Sequence, residues 1–305
     1  MDPNVGHPKQ RVAVAGASGM IGHALVRRLE GEGHAVLRMV RREPRGPGEV
    51  FWDPTSGVVD AAALEGVDAV VNLAGENVGE RWTEERKRRI RASRGDATRL
   101  LATVLAGMRR KPAVLVNASA IGFYGERGDE VLTEASAPGG GFLAGVVREW
   151  EAATRPAADA GIRVVIARFG VVLSARGGAL AKMLTPFRLG AGGPLGSGRQ
   201  WMSWISLDDV TAAIHRALHD ERLSGPVNVV AGAVRNTELA KTLGRVLNRP
   251  ALFPVPAFAL KLALGEMAEE TALVSQRVEP EALRRIGHVF LHADLEDALR
   301  TAVHE

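Results

Sequence analysis

Residues 12–42 read VAVAGASGMIGHALVRRLEGEGHAVLRMVRR, and this stretch decides the fold. It opens with a short apolar run that breaks at Gly16, and further glycines recur at three-residue spacing, at Gly19 and Gly22. An amphipathic helical pattern follows, and a second apolar run begins at residue 35. A strand, a glycine turn, a helix and a strand within this length form the unit that seats a dinucleotide pyrophosphate on a helix N-terminus.

The glycine turn carries the chemistry of this prediction. A Cβ atom would keep the backbone from approaching a phosphate, whereas the N–H groups and the dipole at the start of the helix attract one. The alternative is a glycine-rich turn with no ligand. The residues predicted to hold the cofactor here are Gly16, Ser18, Gly19, Met20, Ile21 and Gly22.

Two arginines follow the second strand and bear on which dinucleotide is bound. An NAD-preferring site usually has an acidic residue at this point that binds the ribose 2′-hydroxyl, whereas arginine accommodates a 2′-phosphate. Guanidinium groups match phosphate in a planar, bidentate way. Arg41 and Arg42 therefore favour NADP(H), the alternative being two solvated surface arginines.

Length and composition limit the remaining possibilities. The chain has 305 residues, 46% of them hydrophobic, a formal net charge of +4 and no cysteine. No run of like charge is long enough for a nucleic-acid arm. Met1 to Gln10 is polar, with no signal-peptide pattern, and residues 251–264 are too short and interrupted to span a bilayer. We therefore expect a soluble, cytoplasmic protein with no membrane, nucleic-acid or metal partner.

Apolar strands and helical patterns alternate along the first half of the chain. Buried strands are predicted over 68–73, 113–117 and 162–167, with helices over 83–108 and 142–160. Such alternation defines an α/β fold with a doubly wound parallel sheet of the Rossmann type. The predicted parts are a dinucleotide-binding domain (11–175), a smaller substrate and lid region (176–235) and a small, mainly helical C-terminal region (236–305).

The GxxGxxG spacing resembles the short-chain dehydrogenase/reductase superfamily, in its extended, epimerase-like branch. In that branch a strand that ends in small residues lies under the nicotinamide ribose, which corresponds here to Leu73, Ala74 and Gly75. Ser119 and Arg168, at the ends of later strands, join the predicted cofactor residues. The alternative for the small residues is an ordinary strand-end turn.

The proton-transfer residues of that superfamily are only partly present. The superfamily uses a strand-end serine and a YxxxK pair, because a phenol with a pKa of about 10 needs a neighbouring cation to act at neutral pH. Ser119 matches the serine, but Phe142 and Val146 stand where the tyrosine and the lysine belong. We predict Ser119 and Tyr124, the chain's single tyrosine, as catalytic. The alternatives are a serine that bonds its own turn and a half-buried loop tyrosine whose hydroxyl is satisfied by the backbone.

Later segments narrow the resemblance. They read NLAGEN (72–77), SAIGFYG (119–125), EWE (149–151), RFGVVL (168–173), GGPLGSGRQWMSWI (192–205) and RPA (249–251). Together they resemble the atypical epimerase-family proteins, related to nucleotide-sugar epimerases, that end in a small domain of unknown function. The resemblance runs from about residue 11 to 303 and implies NADP(H) binding, and the missing YxxxK pair is typical of the group.

Residues 190–205 lie where the extended enzymes fold a lid over their substrate. Polar side chains there can bind polar or anionic groups, and tryptophans offer stacking surface for a ring. The alternative is that both Trp201 and Trp204 anchor a loop in the core. The residues predicted to bind substrate are Asn77, Tyr124, Arg199, Gln200 and Trp201.

These observations predict an NADP(H)-dependent oxidoreductase or epimerase-like enzyme acting on a small polar substrate, for example a sugar-like one. The alternative is a non-catalytic NADP(H)-binding redox sensor or scaffold, which the missing YxxxK pair favours. Extended dehydrogenases often dimerise through helices that flank the sheet. The helices that follow Thr83 and begin at Phe142 are therefore the candidates for a homodimer interface.

Overall fold

A computed structural model describes residues 8–304. Residues 1–7, most of the segment predicted to lack a signal-peptide pattern, lie outside the described part. The strands are β1 (Arg11–Ala15), β2 (Ala35–Val40), β3 (Glu49–Asp53), β4 (Val58–Val59), β5 (Ala69–Asn72), β6 (Val114–Ala120), β7 (Val131–Leu132), β8 (Arg163–Phe169), β9 (Val171–Leu173), β10 (Trp201–Ser206), β11 (Gly225–Val229), β12 (Gly232–Arg235) and β13 (Arg277–Val278). The helices are α1 (Met20–Gly31), α2 (Ala61–Leu64), α3 (Glu84–Ala92), α4 (Gly95–Ala106), α5 (Phe142–Ala152), α6 (Arg155–Asp159), α7 (Gly178–Arg188), α8 (Leu207–His219), α9 (Asn236–Val246), α10 (Ala257–Leu264), α11 (Glu281–Arg285) and α12 (Leu295–His304).

The main sheet confirms the predicted doubly wound architecture. Among the described residues it has the strand order β11-β8-β6-β5-β1-β2-β3-β4, and every pair is parallel except β3 with β4. The chain winds outward in one direction through β2 and β3, and in the other through β5, β6, β8 and β11. The direction therefore reverses between β1 and β5, which is where open α/β sheets bind ligands.

Helices cover both faces of this sheet because its strands are apolar on both sides. On one face α1 and α8 pack through residues such as Leu25 and Ile214. On the other face α4 and α6 pack through residues such as Leu101 and Ala157. Two buried faces are typical of a parallel sheet and explain the continuous apolar run of β1.

Two helices predicted as continuous are each broken, so those predictions were wrong. Residues 83–108 form α3 and α4, which meet at Ser93: its hydroxyl donates back to the Ile90 carbonyl in the last turn of α3 and accepts from the Glu76 amide of a neighbouring loop. Residues 142–160 form α5 and α6, and Pro156, which has no N–H to continue the helical ladder, lies in the first turn of α6.

Smaller sheets join the later part of the chain to the main domain. One has the order β12-β10-β9, and the other pairs β13 in parallel with β7, joining residues 277–278 to residues 131–132. The predicted domain limits at 175 and 235 stay predictions. No helix in the described range, residues 8–304, is long and apolar enough to cross a membrane.

Candidate dinucleotide and substrate site

Two glycines of the turn between β1 and α1 leave no room for a Cβ. Gly16 has φ +77°, and a Cβ there would lie 2.7 Å from the backbone carbon of Leu73. A Cβ on Gly22 would lie 2.1 Å from the Gly16 carbonyl oxygen. Gly19 is the N-cap of α1 and no side chain caps that helix. Gly16 and Gly22 are thus needed for tight packing, and Ser18 and Gly19 are exposed at the helix N-terminus, where a phosphate would bind.

The predicted cofactor residues after β5 lie beside this turn. Gly16 packs against Leu73 and Ala74, and the Ala74 amide donates to the Asn72 side chain at 3.3 Å. Leu73 and Ala74 are half-buried, and Gly75 is exposed. The structure therefore brings the strand-end turn and the glycine turn together at the switch point of the sheet.

The two arginines after β2 differ in what they already bind. Arg42 makes a bidentate pair with Glu49 of β3, at 2.5 and 2.7 Å. Hydrogen bonds from Arg42 lower the pKa of the Glu49 carboxyl to about 2. Arg41 is exposed and has no ion-pair or hydrogen-bond partner among residues 8–304. A 2′-phosphate would therefore find Arg41 available and Arg42 shared with Glu49.

A buried polar network joins both predicted catalytic residues. The Ser119 hydroxyl donates to Glu151 Oε1 at 2.6 Å, and Arg168 donates to both oxygens of Glu151 at 2.8 Å. Arg168 Nη1 also donates to the Tyr124 hydroxyl at 3.0 Å, which itself donates to Asn228 Oδ1 at 2.7 Å. Strand register explains the arrangement, since Ser119 of β6 lies opposite Arg168 of β8.

Burial sets the protonation of this network. Burial raises the pKa of Tyr124, against the opposing charge of Arg168. Burial lowers the pKa of Arg168, but hydrogen bonding and the charge of Glu151 outweigh it, so this pKa is raised overall. At neutral pH Tyr124 is therefore a neutral phenol and Arg168 a cation. Tyr124 is fully buried (0% exposed), where the sequence had left open a half-buried loop residue.

The site residues that sequence reasoning missed are Glu151 and Asn228. Glu151 had a visible signal, since it ends the Glu-Trp-Glu segment quoted above and lies one helical turn after Val147 on a buried face. Asn228 lies on β11, more than a hundred residues beyond Tyr124, and nothing local in the sequence marked it.

The two residues that replace the YxxxK pair, Phe142 and Val146, lie in the first turns of α5. Phe142 packs edge-on against Trp82, with ring centroids 5.0 Å apart, and Val146 is buried. The first amides of this helix are capped by a distant carboxylate: Glu270 accepts from Phe142 N at 2.7 Å and from Leu143 N at 2.6 Å. Apolar packing and a carboxylate cap therefore occupy the place of the usual acid/base pair.

A cavity of about 360 Å³ lies against the segment that follows Ser119. Its walls come from Gly122, Gly125 and Glu126, from the start of α5 and from the C-terminal region, where Gln276 donates to the carbonyls of Ile121 and Gly125. This volume lies in the range of small-molecule pockets. The predicted substrate residues do not line it.

The predicted lid residues mostly hold the fold together. The Gln200 amide is buried and donates to the carbonyls of Leu195 and Ala272. Trp201 lies between the guanidinium groups of Arg235 and Arg277, at 4.2 and 4.6 Å from the ring centroid. The exposed Arg199 accepts, through its carbonyl, a hydrogen bond from Arg235. Trp204 is a core residue at 2% exposure, as the alternative expected of both tryptophans, whereas Trp201 is half-buried.

Asn77 is exposed and turns back on its own loop. Its side chain accepts from the Gly79 amide at 2.9 Å, and Lys182 of α7 donates to the Gly79 carbonyl. The loop after β5 and helix α7 therefore meet. Asn77 is not brought to Tyr124 or to the lid residues by any contact that the structure records.

Together, the fold and the glycine turn at the switch point define a dinucleotide-binding protein of the extended short-chain dehydrogenase type. A model of the NAD dependent epimerase/dehydratase family matches residues 12–232, and one of a domain of unknown function (DUF1731) matches residues 255–302. The chain belongs to this epimerase family. The predicted family and its small C-terminal domain are thereby confirmed.

Individual relatives are similar over nearly the whole chain. The epimerase family protein Mb2239 of Mycobacterium bovis is 47% identical over 290 residues, which cover 94% of this chain and 96% of that protein. The crystal structure of the human epimerase family protein SDR39U1 with NADPH is 34% identical, with a TM-score of 0.88, covering 97% and 99% of the two chains. A nucleoside-diphosphate sugar epimerase from Corynebacterium glutamicum is 40% identical, with a TM-score of 0.79, covering 97% of this chain and 59% of that one.

Proposed function

We propose that this protein is an NADP(H)-dependent oxidoreductase or epimerase-like enzyme that acts on a small polar substrate. The observation that carries the proposal is the steric closure of the glycine turn, where a Cβ on Gly22 would lie 2.1 Å from the Gly16 carbonyl oxygen. The NADPH bound by the similar human protein supports the choice of cofactor.

The residues at the switch point fit this cofactor. The uncapped N-terminus of α1 would hold the pyrophosphate, Arg41 would bind the 2′-phosphate, and Leu73 and Ala74 would lie against the nicotinamide ribose. When bound, the nicotinamide supplies hydride transfer. The protein would supply binding, orientation and proton handling.

Proton handling in this proposal belongs to Ser119 with Glu151. The 2.6 Å bond from the Ser119 hydroxyl to Glu151 Oε1 allows the serine to take a proton from a substrate hydroxyl while it passes its own proton to the carboxylate, and the reverse transfer returns both protons. Arg168 keeps the carboxylate oriented through two bonds. Tyr124 acts as a positioning residue, because its buried hydroxyl reaches Arg168. The cavity of about 360 Å³ beside residues 122–125 would take the substrate.

A second candidate is a non-catalytic NADP(H) sensor. The observation that favours it is the replacement of the YxxxK pair by packed apolar side chains, with Phe142 against Trp82 and Val146 buried. In this case the same dinucleotide site would bind the cofactor without turnover.

The first experiment is thermal unfolding with NADPH, NADP, NADH and NAD added separately. A ligand at a hundredfold excess over its Kd stabilises by about 2.7 kcal/mol. A larger shift with NADPH than with NADH supports the assignment of the cofactor, and no shift with any of the four rejects both candidates.

The second experiment is NADPH oxidation with a panel of aldoses, ketoses and simple ketones. Oxidation by the native chain that is lost in Ser119→Ala, with the NADPH-dependent thermal shift retained, supports the enzyme. A Tyr124→Phe variant should have much lower turnover, and the pH profile of its residual rate should shift. Unchanged turnover would contradict the role of Tyr124 as a positioning residue. A native chain that binds NADPH, oxidises it with no member of the panel and epimerises none of the sugars favours the sensor.

A further inference from the structure

Three histidines that the proposed function does not use converge on the opposite edge of the main sheet. His34 directly precedes β2, and His215 and His219 lie one turn apart on α8. One ligand atom from each of the three lies within 4.8 Å of the others. Glu32, which follows α1, joins them: its Oε2 lies 2.8 Å from His215 Nε2 and 3.9 Å from His34 Nε2.

Hydrogen bonds prepare two of the rings as ligands. The His219 Nδ1–H donates to the His215 carbonyl at 2.9 Å, so in the neutral ring Nε2 carries the lone pair. The His215 Nε2–H donates to Glu32, so its Nδ1 carries the lone pair. Carboxylates and backbone carbonyls commonly hold metal-bound imidazoles in this way. Two histidines at i and i+4 on one helical face are also the spacing of known helical zinc ligands.

The third ring must change its tautomer to bind. His34 Nδ1 accepts from the Gln10 amide at 3.1 Å, so Nε2 carries the ring proton. Binding through Nε2 moves that proton to Nδ1 and ends the bond to Gln10. His34 is 7% exposed, so the ring is held in place next to the other two.

We propose that His34, His215 and His219 bind one divalent transition-metal ion of the zinc type, with Glu32 holding the His215 ring through its Nε2–H. Imidazole nitrogens suit zinc, copper and nickel, whereas magnesium and calcium prefer oxygen. Two nitrogens on one tetrahedral zinc are about 3.4 Å apart at Zn–N distances of about 2.0–2.1 Å. The three ligand atoms lie within 4.8 Å of one another, so metal binding requires the half-buried rings of His215 and His219 to move closer to His34.

The charges around the cluster are compatible with one added cation. Arg28 is a cation that pairs with Glu32: its Nε lies 3.0 Å from Oε1, whereas His215 contacts the other oxygen, Oε2. Arg216 is paired with Asp220 at 2.8 Å. Glu32 therefore keeps one oxygen for the histidines.

The position of the cluster assigns the ion a structural task. Gln10 directly precedes β1 and His34 directly precedes β2, so the cluster lies at the amino ends of these strands. The dinucleotide turn lies at their carboxyl ends, and the five residues of β1 separate the two sites. An ion here would tie the end of α1 to the end of α8, two helices that pack on the same face of the sheet. It would stabilise the domain without contacting substrate.

The test is titration of the metal-free full chain with zinc chloride by isothermal calorimetry. We expect one ion per chain, with affinity at least tenfold weaker in His215→Gln and in His219→Gln, both of which change half-buried rings and spare the core. His23→Gln, which changes an exposed histidine of α1 outside the cluster, is the matched control and should bind as the native chain does.

Two spectroscopic signals separate this site from weak surface binding. Cobalt(II) in the site should give the intense visible absorption of a tetrahedral ion, and the signal should disappear in the double variant His215→Gln/His219→Gln. The amide resonance of Gln10 should shift on zinc addition, because His34 gives up its bond. Zinc binding that survives the double variant, or that leaves Gln10 unchanged, would overturn the proposal.

Discussion

Glu151→Gln is the substitution that tests the buried network most directly. Glu151 and Arg168 have side-chain exposures of 10% and 3%, and the carboxylate accepts three hydrogen bonds, from Ser119 Oγ, Arg168 Nε and Arg168 Nη2. A glutamine removes the charge and turns an amide N–H toward a guanidinium donor. The change leaves Arg168 as an uncompensated buried cation.

The expected loss of stability follows from the uncompensated charge of Arg168. Breaking a buried ion pair by removing one partner costs about 3–5 kcal/mol. Since domains are stable by about 5–15 kcal/mol, the variant should still fold, with a much lower urea midpoint. Replacing both partners by apolar residues costs less, because no charge is stranded.

The assay is urea unfolding of four proteins: native, Glu151→Gln, Arg168→Met and the double variant. We expect each single variant to lower the free energy of unfolding by several kcal/mol. The double-mutant cycle should give a coupling energy of about 2 kcal/mol or more between Glu151 and Arg168. A Glu151→Gln loss below about 1 kcal/mol, or strictly additive effects, would refute the account of Arg168 as a desolvated cation held by one carboxylate. Glu149→Gln, which changes an exposed glutamate of α5, is the matched control.

Three further predictions concern the glycine turn, the arginine that follows β2 and the C-terminal region. Gly22→Ala should lower the free energy of unfolding by about 1–3 kcal/mol and abolish the NADPH-dependent thermal shift, because its Cβ meets the Gly16 carbonyl. Gly31→Ala has open space around its Cβ and should keep both the stability and the thermal shift. Arg41→Ala should weaken NADPH binding about tenfold or more and leave NADH binding unchanged in calorimetric titrations, since a charged hydrogen bond contributes about 1.5–3 kcal/mol. The hydrogen bond to Asp297 raises the pKa of His292, so this group stabilises the fold below its unfolded pKa and loses that contribution as the pH rises through the folded pKa. His292→Gln should therefore destabilise more at pH 5.5 than at pH 8.5 in urea unfolding, and an equal loss at both would contradict the assignment.

The features that could be predicted from sequence are those set by neighbours along the chain. The turn at Gly16 and Gly22 and the cap at Thr83, whose side chain accepts from the Arg86 amide, depend on a few adjacent residues. Pro156 was a visible reason for a helix break that the apolar periodicity hid.

The features that could not be predicted depend on partners far along the chain. Arg42 was expected to be available to a phosphate, but Glu49 comes beside it only when β3 pairs with β2. Gln200 was expected to face a substrate, but its amide meets the Ala272 carbonyl, 72 residues later. Periodicity indicates which face of an element is buried, but it does not identify the distant polar group that a side chain on that element will contact.

The Glu270 cap on α5 has a consequence for how the two matched regions can vary. A helix start left without its carboxylate would present bare amides and a positive dipole end to the cavity wall beside Leu143. Because this helix belongs to the region 12–232 and its cap to the region 255–302, neither region is self-sufficient at this point. A chimera that keeps the first region and takes its C-terminal part from a protein without a carboxylate at this position would inherit an open anion-binding helix end inside its own pocket.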